Sequence, residues 1–229
     1  IDNYTTAIRL DSDDAAFAYI NRGQAYHKLG KFNTAIADYT TAIRLDPNYA
    51  LAYSNRGIAY YGLGSYNTAI SDYTTAIRLD PDYTDGYNNR GASYAKLGKY
   101  NSAIADYTTA IRLDPDGAGA YNNRGVVYTE LGKYNTAIAD FTTYFKLNPD
   151  GAGAYTNRGW AYYKLGEYNI AIADYTTYIR LNAAKHGLNA GMASTYYKRG
   201  NAYKKLGKYK YAISDYTTAI RLDPDYALA

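Results

Sequence analysis

The sequence is poor in the residues that most often carry chemistry. It contains no cysteine, two histidines, one tryptophan and one methionine in 229 residues. The absence of cysteine excludes disulfides, thiol catalysis and cysteine-bound metal, but it does not identify a compartment. His27 and His186 lie far apart in the chain, so histidine supplies no metal pair and no acid–base pair. We therefore expect no catalytic residues, no cofactor and no metal.

Long apolar runs and blocks of charge are also scarce. No apolar run is long enough to cross a bilayer, so no membrane partner is expected. The formal net charge is +4 and the basic residues are spaced along the chain, which gives no reason to expect a nucleic-acid partner. No signal-peptide pattern opens the chain, and the start at Ile1 indicates a processed or cloned boundary. The compartment stays open, with the cytoplasm as the default expectation.

A repeat with a period of 34 residues runs through the chain. The tripeptide Asn-Arg-Gly begins, at that spacing, at Asn21, Asn55, Asn89, Asn123 and Asn157. A sixth copy, Lys198-Arg199-Gly200, follows 41 residues after the fifth, which indicates seven inserted residues. Each copy is followed by Leu-Gly, an aromatic residue and a segment that contains Ala-Ile and Thr-Thr. A fixed period of this length predicts stacked repeat units.

Each copy has the apolar spacing of two helices. In the second copy, Tyr53, Gly57 and Tyr60 recur at steps of three and four, which places them on one helical face. A second helical stripe covers residues 66–77 and ends before Pro81, which cannot continue a helix. Two such short helices cannot bury their apolar faces alone, so neighbouring copies must do it.

This helix-turn-helix resembles the tetratricopeptide repeat, a family with the same period. The resemblance rests on small residues at Gly57, Ala69 and Ala76, on aromatic residues that recur at the same positions of each copy, and on the closing proline. It covers essentially the whole chain. It implies an all-α, right-handed superhelical solenoid of antiparallel helix pairs that holds a protein or peptide in a concave groove. One column departs from the family, which usually has leucine where Arg56 and its equivalents stand.

The period also predicts how the chain is divided. We expect the second helix of a truncated repeat at 1–15, six repeats at 16–49, 50–83, 84–117, 118–151, 152–185 and 193–226, an insertion at 186–192, and the start of a further repeat at 227–229. Both ends fall within a repeat and carry no polar capping helix, so we expect a fragment of a longer array. Uncapped terminal helices of this kind can pack end to end with other copies.

A column is the set of residues that occupy the same position in each copy. Comparison of the six copies separates the columns that stay constant from those that vary. Most of the 32 tyrosines fall in four constant columns spaced for helix packing. The arginine of each copy is matched by an aspartate sixteen residues later, as in Arg56 and Asp72, which predicts an Arg–Asp pair between the two helices. The first helix varies instead; one of its columns reads Ile20, Ser54, Asn88, Asn122, Thr156 and Tyr197. We expect the variable columns to line the groove.

The asparagine column predicts a mode of recognition. Asn21, Asn55, Asn89, Asn123 and Asn157 would form a ladder along the groove, where an amide can donate to and accept from the backbone of an extended peptide. This pattern resembles the asparagine ladder of some members of the family. Lys198 replaces asparagine in the last copy and should end the ladder. The alternative is that each asparagine orders a local turn of helix.

The region beside the insertion is predicted to bind most strongly. Its variable columns hold Trp160, Tyr163, Lys164, Tyr197, Asn201, Lys204 and Lys205. Aromatic residues with nearby cations are frequent at binding hot spots. Close by, Tyr144 and Tyr178 replace a small alanine, so the local packing must widen or the rings must swing out. The alternative is a tolerated insertion without a function.

Three further interpretations compete with a peptide-binding scaffold. One is a structural spacer or self-associating rod whose groove is incidental. Another is polyanion binding through Lys164, Lys204, Lys205 and Lys208, which would require an affinity that falls steeply with salt. The last is the family's clamp for a peptide C-terminal carboxylate. Lys198 and Asn157 fill two of its roles, but no lysine stands in the other columns that it needs, so the clamp is not expected.

Overall fold

The structure is a computed structural model that describes residues 15–225, and all of its regular elements in that range are helical. The first helices of the pairs are α1 (Ala15–Lys28), α3 (Ala50–Gly62), α5 (Thr84–Lys96), α7 (Ala118–Glu130), α9 (Gly153–Lys164) and α11 (Ala193–Lys205). The second helices are α2 (Phe32–Leu45), α4 (Tyr66–Leu79), α6 (Tyr100–Leu113), α8 (Tyr134–Leu147), α10 (Tyr168–His186) and α12 (Tyr209–Leu222). The predicted all-α class of paired helices is confirmed. The parts of repeats expected at 1–14 and 227–229 lie outside the described residues.

The chain divides into two compact units, residues 1–115 and 116–229. In the first unit, α1 pairs with α2, α3 with α4 and α5 with α6, while α2 packs on α3 and α4 on α5. In the second unit, α7 pairs with α8, α9 with α10 and α11 with α12, while α8 packs on α9 and α10 on α11. Within each unit, consecutive first helices also contact each other. The first helices of a unit therefore lie side by side.

A glycine turn ends each first helix, as the turn between α3 and α4 illustrates. Gly64 has a φ of +74°, in the left-handed region that favours glycine. Its N–H donates to the carbonyl of Tyr61 at 2.9 Å, and the N–H of Ser65 donates to the carbonyl of Tyr60 at 2.9 Å. These two bonds form a Schellman cap, which satisfies carbonyl groups that the end of the helix leaves free.

The two helices of each pair meet at a glycine and an aromatic ring. A Cβ added to Gly57 would lie 2.8 Å from Cε1 of Tyr73, so this ring packs directly on the backbone of α3. Tyr73 is buried, and Ala69 and Ala76 beside it have no accessible surface. The same contact recurs as Gly23–Tyr39, Gly91–Tyr107, Gly125–Phe141, Gly159–Tyr175 and Gly200–Tyr216. The predicted packing role is thereby confirmed for this aromatic column.

An arginine joins three helices in most repeats. Nε and Nη2 of Arg56 donate to the two carboxylate oxygens of Asp72, each at 2.8 Å, which joins α3 to α4. Nη1 of Arg56 donates to Oγ1 of Thr40 in α2 at 3.1 Å, which joins α3 to the preceding pair. The Arg–Asp pair recurs in all six described repeats, as Arg22–Asp38, Arg56–Asp72, Arg90–Asp106, Arg124–Asp140, Arg158–Asp174 and Arg199–Asp215. The predicted pairing is confirmed, and the hydrogen bond from each arginine to its aspartate helps to raise the arginine pKa.

The insertion lengthens one helix and adds a buried side chain. The helix α10 has 19 residues, whereas the other second helices have 14. Gly187, with a φ of +67°, follows its end. A 3-10 turn at Ala190–Met192 then packs against α11 and α12, with the side chain of Met192 fully buried.

Tyr144, one of the two bulky replacements near the insertion, fits because Gly151 has no side chain. A Cβ at Gly151 would lie 2.5 Å from Cε1 of Tyr144, so the ring fills that space. The amide of Asn148 donates to the Tyr144 hydroxyl at 3.0 Å. Tyr144 therefore packs against the buried cluster of Phe141 and Ala154 between α8 and α9.

Candidate functional site

The asparagine column is half-buried along its whole length. Nδ2 of Asn55 is buried and has no hydrogen-bond partner. Oδ1 of Asn123 accepts a long hydrogen bond, 3.5 Å, from Nδ2 of its neighbour Asn122. Asn157 lines a cavity in the second unit. Along the asparagine column, the Asn55 amide thus has an unused donor and Asn157 borders a cavity. A role of the column in binding stays a prediction.

This cavity has a volume of about 310 Å³ and is lined by first helices alone. α7 contributes Val126, Thr129 and Glu130, α9 contributes Asn157 and Trp160, and α11 contributes Lys198. Asn157 and Lys198 belong to the asparagine column, Val126 and Trp160 occupy equivalent positions of their repeats, and Thr129 and Glu130 stand at two other positions that vary between repeats. Side chains from three successive repeats therefore converge on one space.

Trp160 has two fixed neighbours on its own helix. Its ring stacks on Tyr163 with a centroid separation of 5.4 Å and an interplanar angle of 6°. Nζ of Lys164 lies 4.6 Å from the centroid of the Trp160 ring, within the range of a cation–π interaction. Tyr163 also contacts Tyr168 of α10 edge-on at 5.3 Å. These contacts hold the indole beside the cavity and lower the entropy that binding would cost.

Lys198 is the cationic residue on the cavity wall. Its side chain is half-buried, and burial lowers the pKa of its ammonium group. Within residues 15–225 this ammonium has neither a hydrogen bond nor an ion pair, whereas the adjacent Arg199 pairs with Asp215 at 2.8 Å. An unpaired, partly desolvated cation favours an anionic ligand.

Tyr197 and Asn201 are used in packing within their own repeat. The hydroxyl of Tyr216 donates to Oδ1 of Asn201 at 2.8 Å. The ring centroids of Tyr197 and Tyr216 lie 5.7 Å apart. Of the remaining residues predicted for the site, Lys204 and Lys205 are exposed at the end of α11. The structure therefore brings Asn157 and Trp160 together at the cavity and leaves these four outside its lining.

Two residues of the variable column that begins with Ile20 lie on a different face of their helix from the one predicted. Ile20 and Ser54 were expected to line the groove, but they are 1% and 0% exposed. Ile20 packs with Ala42 and Ala52, and the Ser54 hydroxyl makes a 2.9 Å hydrogen bond with the Tyr83 hydroxyl. Ile20 therefore faces α2 and the next repeat, and Ser54 faces the turn that closes its own repeat. A residue beside an asparagine of the ladder is turned by about 100° around the helix, which places it on a different face.

Lys198, Val126, Thr129 and Glu130 line the cavity although they were not among the predicted site residues. Lys198 carried a signal in the sequence, since it is the one lysine in a column of asparagines. The other three carried no such signal, because they stand in variable columns without a residue type that marks binding.

In residues 15–225 no group of three or more histidines, cysteines and carboxylates is placed to hold a metal ion. No helix in that range is long and apolar enough to span a membrane.

The fold defines a class of protein, an all-helical array of repeated helix pairs. Family models described as "TPR repeat" match residues 23–64, 59–98, 93–132 and 125–166. Models described as "Tetratricopeptide repeat" match residues 152–185 and 193–226. The chain belongs to the tetratricopeptide repeat family. This chain is a protein-interaction scaffold, and proteins of its family are typically non-catalytic.

Solved structures of tetratricopeptide proteins share this fold. A crystal structure of MamA matches with a TM-score of 0.65 and 25% identity, covering 77% of this chain and 98% of that chain. PilF of Pseudomonas aeruginosa matches with a TM-score of 0.79 and 23% identity, covering 94% of this chain and 95% of that chain. YrrB, described as a TPR protein with an unusual peptide-binding site, has a TM-score of 0.62 and 24% identity, covering 80% and 93%. At these identities, the likenesses to PilF and YrrB establish the fold alone.

Proposed function

We propose that the chain binds an extended peptide or a helix of a partner protein along its first helices, and that the second unit holds the main site. The observation that carries this proposal is the cavity of about 310 Å³ between α7, α9 and α11. Its volume lies at the lower end of the range of about 300–1,000 Å³ typical of ligand sites. A cavity of this size suits one or two side chains of a larger ligand.

The amide at Asn55 supports an extended ligand backbone. A buried donor without a partner costs about 1–3 kcal/mol, and rotation of the Asn55 side chain toward a ligand carbonyl would recover this free energy. The asparagine has an acceptor as well as a donor, so it can bind peptide backbone whatever the side chains are. Repetition of the same amide at Asn89, Asn123 and Asn157 would let a peptide continue along each unit.

Trp160 supplies the anchor expected of a hot spot. It lines the cavity, it is half-buried before any ligand arrives, and Tyr163 and Lys164 hold its ring. Tryptophan dominates many interfaces because its ring buries a large area with little loss of side-chain entropy. The strongest contact should therefore form at Trp160.

The test is affinity capture from lysate of the source cell, comparing the parent chain with Asn157→Ala/Trp160→Ala. The matched control is Asn169→Ala, which removes an exposed asparagine from the second helix α10. We expect partners that the parent and the control retain and that the double variant loses, with unchanged circular dichroism. Identical partner lists for all three proteins would contradict a site at this cavity.

A second candidate function, self-association, is supported by α12. Ile213 and Ile220 of this helix are 64% and 48% exposed, whereas Ile77 and Ile179, which correspond to Ile220 in other repeats, are 9% and 8% exposed. Within residues 15–225, the apolar face that these earlier helices bury is therefore uncovered on α12, the last described helix. A second copy of the chain is the proposed occupant, as in a self-associating rod.

A further inference from the structure

The basic residues of the chain are concentrated around its last described repeat. Residues 175–214 contain eight lysines and arginines and no aspartate or glutamate, although the net charge of the whole chain is only +4. Lys198, Lys204 and Lys205 of this stretch belong to α11. The residues outside 175–214 therefore carry a net charge of −4, so the positive excess of the chain lies in this stretch.

Two further lysines extend this field from the cavity. Lys164 and Lys205 stand seven residues after Asn157 and Lys198, which is two helical turns or about 10 Å along the same helical face. Both are exposed and form no ion pair within residues 15–225. The lining of the cavity thus continues into a cationic surface along α9 and α11.

Lys198 is not required by the scaffold. Five other repeats have asparagine at the equivalent position and form the same helix pair, so the positive charge has no general role in folding. The charge nevertheless sits half-buried on the wall of a cavity beside Asn157 and Trp160, without an anionic partner in residues 15–225. A charge that the fold does not need and does not neutralise indicates a ligand.

We infer that this end of the groove recognises an internal acidic segment of a partner protein. An aspartate or glutamate side chain enters the cavity, accepts hydrogen bonds from Lys198 and Asn157, and places an adjacent apolar side chain against Trp160. Further carboxylates of the segment lie near Lys164 and Lys205. The inference rests on the proposed function and adds the chemistry of the ligand to it.

The cavity favours a peptide over a nucleic acid. Glu130 lines the same space as Lys198, and a carboxylate there repels a backbone that carries a phosphate at every step. A peptide can place one carboxylate at Lys198 and keep its other groups away from Glu130. The charge pattern thus selects a single anionic side chain at the cavity, and removal of the Glu130 charge should strengthen binding.

The experiment selects short random peptides, displayed with their C-termini fused so that no free carboxylate is present, on the parent chain and on Lys198→Asn. This variant carries the residue found in the other five repeats, so it should fold, and circular dichroism checks that it does. Lys146→Asn, which removes an exposed lysine from α8, is the control. Affinities of the selected peptides are then measured for all three proteins and for Glu130→Gln.

We expect aspartate and glutamate to be enriched by the parent and by Lys146→Asn. The selected peptides should bind Lys198→Asn about tenfold more weakly, the effect of removing one close charge partner, and bind Glu130→Gln more tightly. Peptides selected without acidic enrichment, or bound equally by Lys198→Asn, would overturn this inference and leave the proposed function standing. A parent chain that enriches no peptide would overturn both. Single-stranded DNA that displaces the peptides and binds Lys198→Asn as well as the parent would overturn it in favour of a nucleic-acid partner.

Discussion

Arg90 and Asp106 are joined by two parallel hydrogen bonds of 2.8 Å, and the same arginine donates to Thr74 of the preceding repeat at 3.1 Å. Their side chains are only 17% and 9% exposed. The planar fork of the guanidinium matches the carboxylate, a geometry that lysine cannot reproduce. The family usually has leucine in the arginine column, so this chain connects its helices there by a polar network.

Removal of one partner of this pair should cost more than removal of both. Asp106→Ala leaves the Arg90 guanidinium half-buried and unpaired, and we expect the free energy of unfolding to fall by about 2–3 kcal/mol. In Arg90→Leu/Asp106→Ala the uncompensated charge is gone, so part of that loss should return. Urea denaturation of the two single variants and the double variant measures the coupling. If the double variant loses unfolding free energy equal to the sum of the two single losses, the residues act independently. The control is Asp82→Ala, which removes a carboxylate at an exposed turn.

Two glycine-to-alanine substitutions should act in opposite directions. At Gly91 a Cβ would lie 2.9 Å from Cε1 of Tyr107, and overpacking of this kind costs about 1–3 kcal/mol, more than the gain of up to about 1 kcal/mol in helix propensity. At Gly119, near the start of α7, no atom outside its own stretch of helix lies within 4 Å of the added Cβ, so only the gain in helix propensity remains. Thermal unfolding should therefore show a lower midpoint for Gly91→Ala and an unchanged or higher one for Gly119→Ala. Equal shifts would contradict the glycine–aromatic contact.

Stability should fall in alkali because phenols are buried. Burial, and to a lesser degree the charge of Asp38, raises the pKa of Tyr39 to about 12 from an ordinary value near 10. The folded state holds this proton more tightly, so the stabilisation is fully present below about pH 10 and is lost as the pH rises from about 10 to about 12. Tyr39→Phe has no proton to lose and should show a shallower decline of the urea midpoint over that window. Parallel declines for Tyr39→Phe and the parent would rule out a contribution from Tyr39.

Charge on the open face of α12 should prevent self-association. Ile213→Glu/Ile220→Glu places two carboxylates on the face that the second copy is proposed to cover, and a buried unpaired charge opposes such packing. We expect the parent chain to show concentration-dependent assembly in sedimentation equilibrium and the variant to remain a monomer. Lys146→Asn serves as a control outside this face. A parent chain that is monomeric at all concentrations would remove the case for a self-associating rod.

The helix pairs and their main contacts were predictable because the sequence repeats itself. Six copies in one chain separate fixed from variable columns without any other sequence, and Arg56 with Asp72, or Gly57 with Tyr73, occupy fixed columns at helical spacing. Such contacts depend on local geometry that each repeat reproduces. The spacing therefore predicts both the pairing and the packing.

The site was less predictable because it depends on what three successive repeats place together. Ser54 is buried with its hydroxyl hydrogen-bonded to Tyr83, which lies 29 residues further on, in the turn that closes the same repeat. The cavity likewise joins Val126, Trp160 and Lys198 from different first helices, two of them separated by the insertion. A column read along the sequence indicates which residues vary, but not which of them share a space.

Partner peptides are proposed to bind at the cavity between α7, α9 and α11. Amide hydrogen exchange of the chain, with and without a peptide selected on it, tests this most directly because it locates protection along the sequence. Bound peptide should slow exchange in α9 and α11 around Asn157, Trp160 and Lys198, and Asn157→Ala/Trp160→Ala should abolish this protection. Protection confined to α12, or to the second helices, would contradict it.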